Sequence, residues 1–220
     1  MQEKRPRPDQ EMICINVDKV YDWVMKENSF EYTPRNPIKF PCITTHLSDQ
    51  SLEDAIVTCE VTPVDASYDP VVILDRQNRE FMIDGRTVLL QELTIRKRFK
   101  LVIVLTLPDC TVHRSHPIYL SRSEQVVLCA PEETTVTVTY TDLKCFVSST
   151  GRIYQGGPND RDEINFSNLV VTISTCQSIQ STYPVTVEFL AEYCHPRAEL
   201  EIASCSLPTR PASCNAVFPD

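Results

Sequence analysis

The residues Val185-Thr-Val-Glu-Phe-Leu-Ala-Glu-Tyr-Cys194 alternate in polarity with a period of two. Val185, Val187, Phe189, Ala191 and Tyr193 share one parity; Thr186, Glu188, Glu192 and Cys194 share the other, with Leu190 the exception. Successive side chains of a strand point to opposite faces, so the pattern predicts a β-strand with one buried face. A second stretch, Val136-Thr-Val-Thr-Tyr-Thr-Asp-Leu-Lys-Cys145, opens on the same Val-Thr-Val, has an aromatic residue at the same fifth place and closes on a cysteine at the same tenth place. Upstream of each lies an apolar run ending in a cysteine, Gln125-Val-Val-Leu-Cys129 and Leu169-Val-Val-Thr-Ile-Ser-Thr-Cys176. One unit used twice is expected: strand, cysteine, turn, alternating strand, cysteine. Cys129, Cys145, Cys176 and Cys194 are then candidates for disulfides within the repeat.

The rest of the composition agrees with an all-β chain. Sixteen prolines against four glycines disfavour long helices and favour short strands joined by fixed turns. A hydrophobic content of 42% over 220 residues suffices for a core in one large β domain or two small ones. The expected fold is an antiparallel β-sandwich, or two of them. A flexible arm is expected over residues 1–12, β domains over 13–120 and 121–198, and a Cys- and Pro-containing tail over 199–220. No apolar run has the length of a bilayer span, so no membrane partner is expected. A net charge of −9 disfavours a nucleic-acid partner, which selects a basic face. The one basic cluster, Arg96-Lys97-Arg98 with Lys100, reads as a solvated turn between strands.

Along the chain, Ile13 to Val17 alternate as a strand, followed by a further strand or a short helical turn to Val24, with Trp23 packed in the core. Strands are expected at Ala55–Val61, Val71–Leu74, Phe81–Ile83 and Thr87–Ile95, with Asp84-Gly85 as a hairpin turn. Lys100 to Leu107 is nearly continuously apolar, which predicts a strand covered on both faces. Residues 148–163 hold three of the four glycines and several acids and read as a long surface loop.

The ten cysteines form no Cys-x-x-Cys pair, which removes the usual zinc-ribbon, iron–sulfur and thioredoxin-like patterns. Their spread over the strands suits disulfides within or between subunits. Cys14, beside the arm, and Cys205 and Cys214, in the tail, are the candidates for bonds between subunits. Catalytic patterns are missing: none of the four histidines sits in a recognisable nucleophile motif, and no phosphate-binding or dinucleotide fingerprint occurs. The chain reads as non-enzymatic, with no cofactor expected. Cys110, His113 and His116 carry metal-ligand chemistry, but His113 falls on the opposite parity from the other two. They define one alternative, a zinc-dependent enzyme. A second alternative is an adhesive or carbohydrate-binding sandwich with its site on the 148–163 loop, where Asp160, Asp162 and Glu163 lack EF-hand spacing.

The segments Ile13-Cys-Ile to Lys19-Val-Tyr-Asp-Trp-Val24, Leu89-Leu-Gln-Glu-Leu-Thr94, Val127-Leu-Cys-Ala-Pro-Glu132 and Cys176-Gln-Ser-Ile-Gln-Ser181, with Tyr193-Cys-His-Pro-Arg197, resemble a group of endospore-surface proteins of spore-forming Firmicutes. The resemblance runs over roughly residues 13–197 and carries no known chemistry. It implies a spore coat, exosporium or appendage component, by analogy a β-sandwich block joined to copies of itself, or to other spore-surface proteins, by N-terminal arms and disulfides. Residues 1–11 have no apolar h-region. The matching expectation is synthesis without a signal peptide in the mother-cell cytoplasm, followed by oxidation at the spore surface once that cell lyses. The expected role is a non-catalytic structural protein that self-assembles with disulfide cross-links into a fibre or layer.

Overall fold

The computed structural model describes residues 10–192, and the side chains of residues 12–191. The strands are β1 (Gln10–Tyr32), β2 (Ile38–Lys39), β3 (Ile56–Pro63), β4 (Val71–Ile83), β5 (Arg86–Thr106), β6 (Val112–Arg114), β7 (Ile118–Leu128), β8 (Thr135–Ser149), β9 (Ile153–Gln155), β10 (Glu163–Phe166) and β11 (Val170–Glu192). Helix α1 (Asp49–Glu53) and a 3-10 turn at Ala66–Tyr68 complete the described elements. The chain divides into two compact units, residues 16–185 and residues 1–15 with 186–220. Of the second, only Gln10–Ile15 and Thr186–Glu192 are described; its strand residues Val187 and Phe189 are 38% and 42% exposed.

In the larger unit, β5 is the axis of one sheet. One of its edges carries β4 and then β3, the other β7 and then β6, all antiparallel. Each edge is interrupted once. The excursion between β3 and β4 opens with Val64 N donating to the Arg98 carbonyl (3.2 Å) and closes with Arg98 N donating to that of Pro70 (2.9 Å). Between β6 and β7, Ser115 N donates to the Ile103 carbonyl and Ser115 Oγ accepts from Ile103 N, both at 2.9 Å. A serine hydroxyl thus fills the ladder position next to Pro117, which has no N–H to give.

The second sheet has the order β1-β11-β8, with β8 antiparallel to β11 from Val170↔Ser149 to Thr182↔Thr135. Its inner face meets that of the first sheet. Leu101, Ile103 and Leu105 of β5 pack with Val171 and Ile173 of β11, and Leu93 and Ile95 of β5 with Ile179 of β11. The small sheet β2-β10-β9 and α1 add Ile38, Ile164, Ile153 and Leu52 to the first of these clusters. Full burial of such side chains contributes about 1.5–3 kcal/mol each. The protein is therefore an all-β antiparallel sandwich.

The Asp84-Gly85 turn forms as the sequence predicts: both residues have positive φ (49° and 74°), the two-residue geometry that matches strand twist. Both faces of β5 are covered near its C-terminal end, where Ile103, Val104 and Leu105 are all buried. Four expectations are corrected. Residues 13–24 belong to one 23-residue strand with no helical turn. Trp23 is not a core residue; it lies 57% exposed on the outer face, its indole N–H donating to Ser178 Oγ at 2.6 Å. Arg96-Lys97-Arg98 is no turn but the middle of the 21-residue β5. Lys97 occupies the inward row between Ile95 and Phe99, so strand parity draws a cation into the interior.

The fourth correction concerns the repeat. The second copy has no turn after Cys176, because β11 runs unbroken from Val170 to Glu192. Its polar middle stays in the sheet with Gln177, Ser178 and Ser181 buried, and a bulge at Thr141 of β8, facing the Cys176–Gln177 step, resets the register. The first copy divides between sheets, β7 joining β5 and β8 joining β11.

Candidate functional site

Lys97 meets a carboxylate inside the sandwich. Glu124 of β7 lies on the inward parity and ion-pairs with Lys97. Two further strands converge on the same carboxylate: Gln177 of β11 donates Nε2 to Glu124 Oε1 (2.8 Å) and Asn28 of β1 donates Nδ2 to Oε2 (3.0 Å). Lys97 also donates to Gln177 Oε1. Burial pulls the Lys97 ammonium below its ordinary range against the opposing effect of Glu124. Burial alone would raise Glu124; donation from Lys97 and Asn28 outweighs it and holds the carboxyl below its usual value. Tyr140, whose buried hydroxyl has no partner, is pushed well above the ordinary phenol range by burial and then by the Glu124 charge. The cluster lies between the two apolar halves of the core, beneath a cleft of about 590 Å³ walled by Phe30, Phe99, Arg122 and Ser123. Lys97 and Glu124, which line the cleft, are bonded to each other and to Gln177 and Asn28. The chemistry of the cluster is that of a register pin, holding four strands of two sheets in one alignment.

The two flanks of the sandwich are closed differently. On one, side chains of β1 and β7 reach each other's backbone or carboxylate. Asp22 Oδ2 accepts from Cys129 N (2.8 Å), Lys26 Nζ donates to the Gln125 carbonyl (2.5 Å) and Arg122 Nη2 donates to the Glu31 carbonyl (3.1 Å). Arg122 also lies 4.9 Å from the centroid of the Phe30 ring. On the other flank, β3 and β8 are joined covalently by the disulfide Cys59–Cys145, with Cα atoms 6.0 Å apart.

Cys145 is thus bonded to Cys59, a residue the repeat pattern did not single out. Parity carries the signal: Cys59 lies in the inward row of β3 with Val57 and Val61, and Cys145 in that of β8 with Leu143 and Val147. Cys129 and Cys176 are half-buried free thiols on β7's end and β11, and Cys194 lies outside the described residues. Cys14 on β1 is an exposed free thiol, as are Cys42 and Cys110. Cys205 and Cys214 lie outside the described residues.

The chain matches no protein-family model, no curated protein and no solved structure. Any function is therefore argued from its own residues.

Cys110, His113 and His116 do not converge. Cys110 sits at positive φ (67°) in the turn after Leu107, His113 on β6 opposite Leu105, and His116 in the break before β7, its N–H donating to the Lys39 carbonyl. Beside Cys110, the Thr111 backbone N–H donates to Asp109 and holds its carboxyl below the usual range. Among the described residues no group of three or more His, Cys, Asp or Glu is placed to hold a metal, and no helix is long and apolar enough to cross a membrane.

The 148–163 segment is more ordered than a surface loop. It contains β9 with Ile153 buried, and Gln155 anchors it by accepting from Leu47 N and donating to the Thr45 and Arg161 carbonyls. Gly156 is required there, since a Cβ would lie 2.3 Å from the Asp160 carbonyl oxygen. Glu163 ion-pairs with Lys39 at 3.2 Å.

Proposed function

We propose that this chain is a non-catalytic structural protein that self-assembles, with disulfide cross-links, into a layer or appendage of the endospore surface. The observation that carries the proposal is the division of labour among its cysteines. One inward pair staples the sandwich while Cys14, on a strand at the edge of a sheet, keeps an exposed free thiol. Such a thiol is positioned to bond another molecule on oxidation. The polar interior agrees with this reading, since Lys97 and Glu124 are bonded to each other and to Gln177 and Asn28. The resemblance to endospore-surface proteins supports the location, with other proteins of that surface as further partners. The test is a comparison of the purified protein with and without reductant, on denaturing gels and by negative-stain microscopy. Ordered multimers that resist denaturant until reduced, and that Cys14→Ser weakens, are the expected result. A monomer under oxidising conditions would overturn the proposal.

A second reading, a glycan-binding module, draws support from a shallow cleft of about 440 Å³ between Pro41, Ile43 and Thr44 on one side and Pro158, Asn159 and Arg161 on the other. Binding on a glycan array that Arg161→Ala abolishes would favour it.

A further inference from the structure

Strand β1 ends the sheet β1-β11-β8, so one of its edges bonds β11 and the other, here called the open edge, has no partner strand among the described residues. Its backbone bonds identify which residues face the open edge. Trp23 N donates to Asp22 Oδ1 (2.8 Å) and the Glu31 carbonyl accepts from Arg122, whereas the Asn28 carbonyl accepts from Thr175 Oγ1 of β11 (3.2 Å). Successive residues of a strand turn their N–H and C=O to opposite edges. The odd-numbered residues of β1 therefore present their backbone to the open edge. Their side chains also form the outer face, where Tyr21, Trp23 and Met25 are 40%, 57% and 53% exposed between the exposed charges Lys19 and Glu27. The even-numbered Asp22, Val24, Lys26 and Asn28 are already engaged in the chain's own sandwich. No proline interrupts residues 10–32, so one of the usual blocks to edge pairing is missing.

The order Lys19, Tyr21, Trp23, Met25, Glu27 is self-complementary when reversed. We infer that β1 pairs antiparallel with β1 of a second copy about a two-fold axis at Trp23, joining two three-stranded sheets into one. The inference rests on the self-assembly reading above and names one non-covalent contact within it. In this register Trp23 faces Trp23, Tyr21 faces Met25 and Lys19 faces Glu27 of the second copy, and each of these odd residues directs its backbone at its opposite number. An isologous contact of this kind brings both Lys19–Glu27 pairs together at once. Moving the axis to residue 22 sets Lys19 against Met25 and Val17 against Glu27. Moving it to residue 24 sets Tyr21 against Glu27. Within residues 19–27, only the axis at Trp23 matches charge with charge and apolar with apolar. In the dimer, Trp23 N exchanges Asp22 Oδ1 for the facing carbonyl, and Asp22 keeps its bond to Cys129 N.

The test is sedimentation equilibrium of the full chain in reductant, which removes every disulfide contribution, with the fluorescence of the single tryptophan as a second readout. The expected result is a dimer that Lys19→Glu or Glu27→Lys weakens roughly tenfold or more, since each reversal sets two like-charge pairs across the strands. The double variant K19E/E27K restores it, and Trp23 emission changes with concentration in step with dimer formation. A dimer indifferent to both reversals overturns the contact. A monomer in reductant that still forms disulfide-linked multimers without it also overturns the contact but leaves the assembly reading standing. A monomer in both conditions overturns the two together.

Discussion

Lys97 of β5 and Glu124 of β7 form an ion pair in the interior of the sandwich, their side chains 4% and 7% exposed. Taking two charges out of water is costly, and the attraction between them recovers that cost only when the remaining lone pairs and protons are also bonded. Gln177 and Asn28 supply those bonds from the opposite sheet. The pair therefore specifies alignment more than it adds stability.

Breaking the pair from one side leaves a buried charge alone. Lys97→Met is expected to destabilise the fold by about 3–5 kcal/mol, and Lys97→Met with Glu124→Leu by much less. Urea unfolding of the three proteins checks this; equal losses in the single and double variants would contradict it.

The pair also sets an acid limit. Glu124 is held below its ordinary value in the folded protein, so its contribution is present at neutral pH. That contribution is lost as pH falls from the unfolded glutamate range, about 4.3, through the lower folded value. The stability difference between the native chain and Glu124→Gln is expected to shrink steadily below about pH 4.5. Unfolding curves from pH 6 to pH 2.5 measure it.

The Cys59–Cys145 bond closes a loop with a sequence separation of 86. Cys145→Ser, measured in oxidised protein, is expected to cost roughly 2–5 kcal/mol. Cys176→Ser, which removes a free thiol, is expected to cost much less. Peptide mapping without reduction should find Cys59 linked to Cys145, with Cys129 and Cys176 open to alkylation after unfolding.

Trp23 provides a local check on the outer face. Because it lies on that face, Trp23→Ala is expected to cost less than about 1 kcal/mol, against the 3–5 kcal/mol of a core tryptophan. At concentrations low enough for a monomer its emission should be readily quenched by acrylamide.

Much of this architecture is legible in the sequence where alternation is apolar against polar, as in β3, or where a turn needs positive φ, as at Asp84-Gly85. It is illegible where the buried position is itself polar. Lys97 looks like part of a solvated basic cluster because its compensation, Glu124, lies elsewhere in the chain and becomes a neighbour only through the β5–β7 ladder. Gln177, Ser178 and Ser181 look like a turn for the same reason, and hide the continuity of β11. Trp23 misleads in the other direction: a large aromatic residue suggests a core, but its parity places it opposite Val24, which does pack inward. The candidate site suffers most, since Asn28, Lys97, Glu124 and Gln177 come from four strands and share no local pattern.

The neighbour of β1 in its sheet is β11, the first described strand beside the last. During synthesis β1 emerges with its sheet partner among the described residues still unmade, and the edge that meets β11 stays unpaired until β11 leaves the ribosome. Contacts of such sequence separation form slowly, because the loop must close before any of them is rewarded. A strand with Tyr21, Trp23 and Met25 exposed thus waits for a partner made late, and a nascent chain beside another copy has time to pair β1 with the wrong neighbour. Expression of this protein is for that reason expected to depend on chaperone supply and on slow translation more than its folded stability would suggest.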